Sequence, residues 1–214
     1  MLSHNDLLLL RSAFLASDRA RSAWRSWTAQ VDIEDHHHAD VYRLLPQVCG
    51  TLETADPDYP YLDLLRSVRR KAWYQTRLEI REGLHAQQSL EKRGLASIVI
   101  GAAGIAAAGR IEGLEVPVDQ YDLLVDHHQA EDARRILESS GWTLVAGPSP
   151  GDVESRIRRV LRGPTGRHVA IHRYLVPSGD EPVDGPSVEA QARVVDLDGT
   201  AVRVPGAPHQ LLGA

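Results

Sequence analysis

One cysteine, one methionine and one phenylalanine stand among 214 residues. A single thiol, Cys49, cannot close an internal bridge, so a disulfide scaffold is excluded and a reducing compartment is favoured. No Cys or His stands at ligand spacing from it, which leaves a small core residue. Long apolar runs are also absent. The longest, Leu95 to Gly109, is mostly Ala and Gly and falls short of the roughly 20 residues a bilayer requires. The opening MLSHNDLLLLRSAF lacks a basic n-region and meets Arg11 after four leucines, which argues against a signal peptide. The expectation is a cytoplasmic chain with no membrane partner. An excess of positive charge is missing too: 24 basic against 29 acidic residues give a net charge of −5. That balance speaks against coating nucleic acid as the main task. Hydrophobic content of 43% and charged content of 25% are ordinary for a globular chain, and the length suits one large domain or two small ones.

The pattern divides in two. Residues 1–93 read as a helical segment and 94–214 as an α+β domain, expected to form one integrated unit. Leu7, Leu10, Phe14, Ala20, Trp24 and Trp27 recur on one helical face, with Asn5 or Asp6 as cap. Val41, Leu44, Leu45 and Val48 predict a short second helix stopped near Gly50. A long helix is expected from Tyr61 to Lys92, with Leu62, Leu65, Ala72, Trp73, Ile80 and Leu84 inside. The four tryptophans (Trp24, Trp27, Trp73 and Trp142) suit a core and call for no base-stacking site.

From Gly94 the period changes. Ala96 to Ile100 reads as a buried strand ending in Gly101, followed by a tightly packed helix over Ala102 to Ala108. Tyr121 to Val125 predicts a second strand. Asp126 with Gln129 resembles a capping box for a helix carrying Ala130, Ala133, Ile136 and Leu137, which Gly141 closes. Trp142 to Val145 predicts a third strand. Val153 to Arg162 and Arg167 to Val176 flank Gly-Pro-Thr-Gly and predict a pair of antiparallel strands. Pro177 to Pro186 reads as a loop, and Arg193 to Val204 as a hairpin around Asp198-Gly199.

On a strand, alternation sends Gln120 and Asp122 to one face, and Ala170 and His172 likewise. Together with the strand that ends at Gly101, this arrangement resembles the nucleotidyltransferase superfamily of the DNA polymerase β-like fold. In particular it is similar to a bacterial family that carries a strand ending in Lys-Gly, then Arg-Pro-Met-Gly-Asp-Ile-Asp-Leu-Leu-Val, then Asp-Leu-His-Trp. The match covers roughly residues 90–212, including EDARRILESSGW and the closing VPGAPHQLL. It implies an α+β fold, a mixed sheet with flanking helices preceded by a helical segment. It also implies a phosphate-approaching turn at Gly101 and Ala102, and Mg²⁺ held by two carboxylates on one strand face with a third on a neighbouring strand.

The departures are specific. Ile100 stands where the pattern has Lys, and Val116-Pro117-Val118-Asp119 where it has Arg-Pro-Met-Gly. The first metal carboxylate falls on Gln120, the second on Asp122 and the third on Ala170. Asp122 is thus the remaining anionic candidate for Mg²⁺, and Gln120 contributes no negative charge. A shift of register by one would recruit Asp119, which does not share a face with Asp122.

Three readings follow. The chain is a degenerate binding module for a nucleotide, a peptide or a partner protein. Or its cleft does acid–base chemistry through Asp122 and His172, as a tailoring enzyme of the specialised-metabolite or peptide pathways in which members of that family occur. Or it remains an Mg²⁺/NTP transferase. Tyr121, Asp126, His127, His128, Arg158 and Arg173 are further cleft candidates, the two histidines also reading as an exposed first helical turn. Arg156, Arg158, Arg159, Arg162, Arg167 and Arg173 either line a groove for an anionic ligand or decorate an exposed hairpin. His36-His37-His38, with Asp35 and Asp40, meet no metal-ligand spacing and read as a solvated turn.

Overall fold

A computed structural model of the chain describes residues 3–32, 39–109, 115–145, 158–176, 183–206 and 209. They fall into two compact units, one made of Met1–Gln75 with Ile111–Pro117, the other of Thr76–Arg110 with Val118–Ala214. The fold is α+β: helices lead, and a mixed sheet follows.

The first unit contains α1 (His4–Phe14), α2 (Ser17–Thr28), α3 (Ala39–Ala55) and the start of α4 (Leu62–Glu91). Ser3, rather than Asn5 or Asp6, caps α1. Its hydroxyl accepts from the Asp6 N–H at 3.1 Å and the Asp6 carboxylate accepts from the Ser3 N–H at 2.7 Å, a reciprocal capping box. The single helix expected over the first thirty residues is two helices, because Leu15 and Ala16 are extended and Ser17 takes φ 33°. The break lets Leu9 and Ala13 of α1 join Ala23, Trp24 and Trp27 of α2 in one core. Leu7 and Phe14 are left exposed, contrary to the expected stripe. Trp24 and Trp27 stack with ring centroids 5.1 Å apart, and the Tyr59 ring meets Trp24 edge-on.

Gly50 does not stop α3, which runs on to Ala55 with Pro46 inside it. Glycine ends a helix when it adopts positive φ, and Gly50 does not. Trp73, expected inside, is 61% exposed on α4, while Cys49 is fully buried.

The second unit holds β1 (Ile98–Ile100), α5 (Gly101–Ala108), β2 (Tyr121–Leu124), α6 (Ala130–Ser139), β3 (Thr143–Leu144), β4 (Arg158–Arg162) and β5 (His168–His172). After them come β6 (Tyr174–Val176), β7 (Val183–Asp184), α7 (Gly185–Glu189), β8 (Arg193–Leu197) and β9 (Thr200–Val204). The main sheet has the order β1-β2-β5-β4-β3, with β2 and β5 parallel and the other pairs antiparallel.

Alternation gives this sheet two unlike faces. Val99, Tyr121, Leu123, Leu161, Val169 and Ile171 form one, buried against Ile80, Leu84 and Leu90 of α4 and Ala133 and Leu137 of α6. On the other face Ile98, Ile100 and Leu124 are covered by Leu175 and Val188. The same face continues, through the strand register, to Asp122, Ala170 and His172.

Two expectations change in this unit. Asp126 and Gln129 form no capping box, since Gln129 is itself the cap residue of α6 and its side chain makes no cap bond. The stretch read as a loop from Pro177 to Pro186 contains β7 and the start of α7, whose cap is Asp184. Its carboxylate accepts from the Ser187 N–H at 3.1 Å and hydroxyl at 2.7 Å. The Asp198-Gly199 hairpin forms as expected, with φ of 53° and 79° at the two turn residues. Among the described residues, no helix is long and apolar enough to cross a membrane.

Candidate functional site

Asp122 lies near the middle of β2, with Gln120 two residues before it on the same face. The Gln120 amide donates to Asp122 Oδ1 at 2.8 Å. His172 at the end of β5 brings Nε2 to the same oxygen, also at 2.8 Å. Both Asp122 and His172 side chains are 16% exposed, so the pair is enclosed but reachable from solvent. The parallel pairing of β2 with β5 builds this contact: Asp122 lies opposite Ala170, and His172 is one same-face position further along.

The other carboxylate oxygen faces the chain turn at Gly101. Ile100 of β1 lies opposite Asp122, and α5 begins at the next residue. Gly101 takes φ 62°, and a Cβ there would stand 2.8 Å from Asp122 Oδ2. Both facts require glycine at this position. Ala102 follows in the first turn of α5, partly buried against the core.

Arg158 on β4 lies opposite His172 in register and is half-buried. Directly opposed residues share a face, so Arg158 belongs to the Asp122 and His172 side of the sheet. Arg162 lies opposite His168 and contacts it, Nε to Nε2, at 3.5 Å. Arg159 alternates to the opposite face, and Arg167 turns to the buried Glu79, 3.1 Å away. Burial raises the Glu79 carboxyl above its usual range, against the pull of Arg167. Arg173 is half-buried at the break between β5 and β6. The arginine-rich stretch is therefore split between two faces, and Arg156 lies outside the described residues. So do Asp35 and His36 to His38.

Two cleft candidates are placed elsewhere. Tyr121 points to the opposite, fully buried face, where its hydroxyl donates to Gln87 Oε1 at 3.1 Å. Burial raises its phenol well above the ordinary range. Asp119 is exposed, and its charge raises the Glu79 carboxyl further.

Asp126, His127 and His128 occupy the turn after β2. Asp126 Oδ1 accepts from the His128 N–H at 2.9 Å. The His127 ring stacks on Tyr174 of β6 with centroids 5.7 Å apart, and His128 lies against it at 3.8 Å. His127 Nδ1 is 3.6 Å from Asp126 Oδ1 and 3.5 Å from Asp184 Oδ2. Neither Tyr174 nor Asp184 stands out as a site residue in the sequence. Asp184 carries a signal, an Asp two residues before a Pro and three before a Ser, the pattern of a helix cap with Pro in the first turn.

No protein-family model matches the chain, and no curated protein matches it in sequence. Among solved structures it is similar to the lincosamide antibiotic adenylyltransferase LnuA with lincomycin bound, at 12% identity and a TM-score of 0.44, over 62% of this chain and 83% of that one. A candidate nucleotidyltransferase from Thermotoga maritima matches at 18% identity and a TM-score of 0.42, over 59% and 76%. ANT(2″)-Ia in complex with adenylyl-2″-tobramycin matches at 15% identity and a TM-score of 0.41, over 62% and 70%.

Proposed function

We propose that the chain is a nucleotidyltransferase-like protein with a degraded metal site, acting as a binding module for a nucleotide, a peptide or a partner protein. The observation that carries this reading is the surrounding of Asp122. One oxygen receives both Gln120 and His172 at 2.8 Å, and the other faces the backbone turn at Gly101. The facing position on β5 is the methyl group of Ala170, fully buried. A pair of Mg²⁺ ions needs several anionic oxygens converging at about 2.1 Å from each ion. The residues on this face offer one carboxylate, already hydrogen-bonded, and they do not fit such a pair. The start of α5 at Gly101 lies beside Asp122 and would suit an anionic group such as a phosphate.

Calorimetric titration with ATP, GTP, CTP and UTP, with and without Mg²⁺, tests the reading. Nucleotide binding that does not depend on Mg²⁺ is the expected result. Mg²⁺-dependent binding followed by pyrophosphate release overturns it in favour of an active transferase.

One observation favours a second reading. The 2.8 Å contact of His172 with Asp122 is the geometry in which a carboxylate orients an imidazole for proton transfer. A tailoring enzyme built on this pair would convert its ligand without metal. Conversion by the wild-type chain that disappears in both Asp122→Ala and His172→Ala establishes this reading. Conversion that survives both substitutions removes it.

A further inference from the structure

We infer that Asp126, His127 and His128 form a site for one divalent transition-metal ion of the zinc type, separate from the Asp122 cleft and independent of the reading above. Ligand atoms of the three side chains lie within 4.8 Å of one another. The site stands on the turn after β2, where adjacent residues can face one point; on a regular helix or strand His127 and His128 would diverge.

The strongest indication is His127 Nδ1. This atom is enclosed by protein and hydrogen-bonds to no described residue. Two carboxylate oxygens flank it, Asp126 Oδ1 at 3.6 Å and Asp184 Oδ2 at 3.5 Å. Those separations are too long for good hydrogen bonds. They are close to the edge of a tetrahedron of ligands around Zn²⁺, about 3.4 Å for bonds near 2.0–2.1 Å. An ion held with Asp126 and His128 would satisfy this nitrogen, with the Asp184 carboxylate close by on its other side.

The supports are held in place. Tyr174 stacks on the His127 ring and fixes its plane. The Asp184 carboxylate is fixed by its cap bonds to Ser187 through Oδ1, which leaves Oδ2 turned towards His127. Imidazole nitrogen with carboxylate oxygen is a ligand set suited to Zn²⁺ or Co²⁺. His128 is exposed, which gives the ion a path from solvent.

Co²⁺ titration of the full chain, stripped with chelator and followed by visible absorbance, tests the site, with Zn²⁺ added to displace the Co²⁺. One equivalent of Co²⁺ with a tetrahedral-type spectrum, displaced by Zn²⁺, is expected. His127→Ala and His128→Ala should each weaken binding at least about tenfold. The exposed His128 keeps the test valid if His127→Ala disturbs the fold, with circular dichroism as the check. The joint replacement of His36, His37 and His38 by Ala should leave binding unchanged, as should Asp122→Asn. Absence of saturable binding overturns the inference. So does binding that is lost in the His36 to His38 variant but kept in His127→Ala and His128→Ala. Loss in Asp122→Asn assigns the ion to the cleft and equally overturns it.

Discussion

At Gly101 a single hydrogen atom in place of a methyl group decides whether the Asp122 carboxylate keeps its position. An alanine there would hold a left-handed conformation, at about 1–2 kcal/mol, and would press its Cβ to 2.8 Å from Asp122 Oδ2. Gly101→Ala is therefore expected to cost about 2–3 kcal/mol in urea unfolding, and to weaken ligand binding in the cleft by moving Asp122. A loss below about 0.5 kcal/mol would contradict that geometry. Tyr121 makes a second case. Tyr121→Phe leaves the buried Gln87 oxygen without its donor, which is expected to cost about 1–2 kcal/mol. The sign of its pH dependence also follows. Burial raises the folded phenol above the ordinary tyrosine value of about 10. The native state then keeps its proton where the unfolded chain releases it, so this contribution is present below about pH 10 and falls as pH rises further. Urea midpoints at pH 8, 10 and 11 should fall for the wild type and flatten for Tyr121→Phe. Strand alternation made the shared face of Gln120 and Asp122 legible in the sequence. Alternation alone did not join His172 to Asp122: the resemblance suggested one cleft for both, and their contact depends on a parallel pairing between strands fifty residues apart in the chain.

Helices α3 and α4 each carry an interior glycine, and the packing around them assigns opposite signs to the same substitution. Gly50 sits in α3 with helical φ, and the nearest atom to a new Cβ is an Arg69 nitrogen 4.0 Å away. Gly50→Ala is expected to stabilise by about 0.5–1 kcal/mol, since alanine restricts the unfolded chain and strains nothing. Gly83 in α4 lies on the Tyr121 ring, and a Cβ would stand 2.0 Å from Cγ. Gly83→Ala is expected to cost about 3 kcal/mol or more, because a ring gripped in a packed core has nowhere to move. Thermal melts of the two variants should shift in opposite directions, and a shared direction would contradict the packing. The same pair shows where sequence reading ends. Helical periodicity located α4 within a residue of its bounds, and Asp198-Gly199 announced the β8-β9 hairpin, because both signals are local. Gly50 read as a helix stop, yet what decides is its φ, which depends on tertiary packing. The break after α1 and the exposure of Trp73 depend likewise on which surfaces find a partner.

Across the whole chain, charge is distributed in a way its sum does not reveal. The net of −5 was readable from composition, but the use of the arginines was not. Arg25 binds Asp56, Arg66 binds Glu53 and Asp63, Arg69 binds Glu53 and Glu115, and Arg77 binds Asp198. Arg134 is held by Glu131 and Glu138, Arg167 by Glu79 and Arg203 by Glu189. Most of these pairs join residues distant in sequence, so a partner such as Glu79 for Arg167 was not readable, and the arginine-rich stretch around β4 read either as a groove or as an exposed hairpin. Its described members divide between the two faces of the sheet. A duplex-binding surface needs several free cations tracking one phosphate backbone, each contributing to counterion release. Among the described residues, the arginines named above are engaged in pairs and those of β4 alternate between faces, which does not build such a row. Fluorescence anisotropy with a labelled 20-base-pair duplex at 150 mM salt should show no saturable binding below about 100 μM. Binding tighter than about 10 μM, with a log–log salt slope steeper than about −3, would show that a continuous basic surface forms after all.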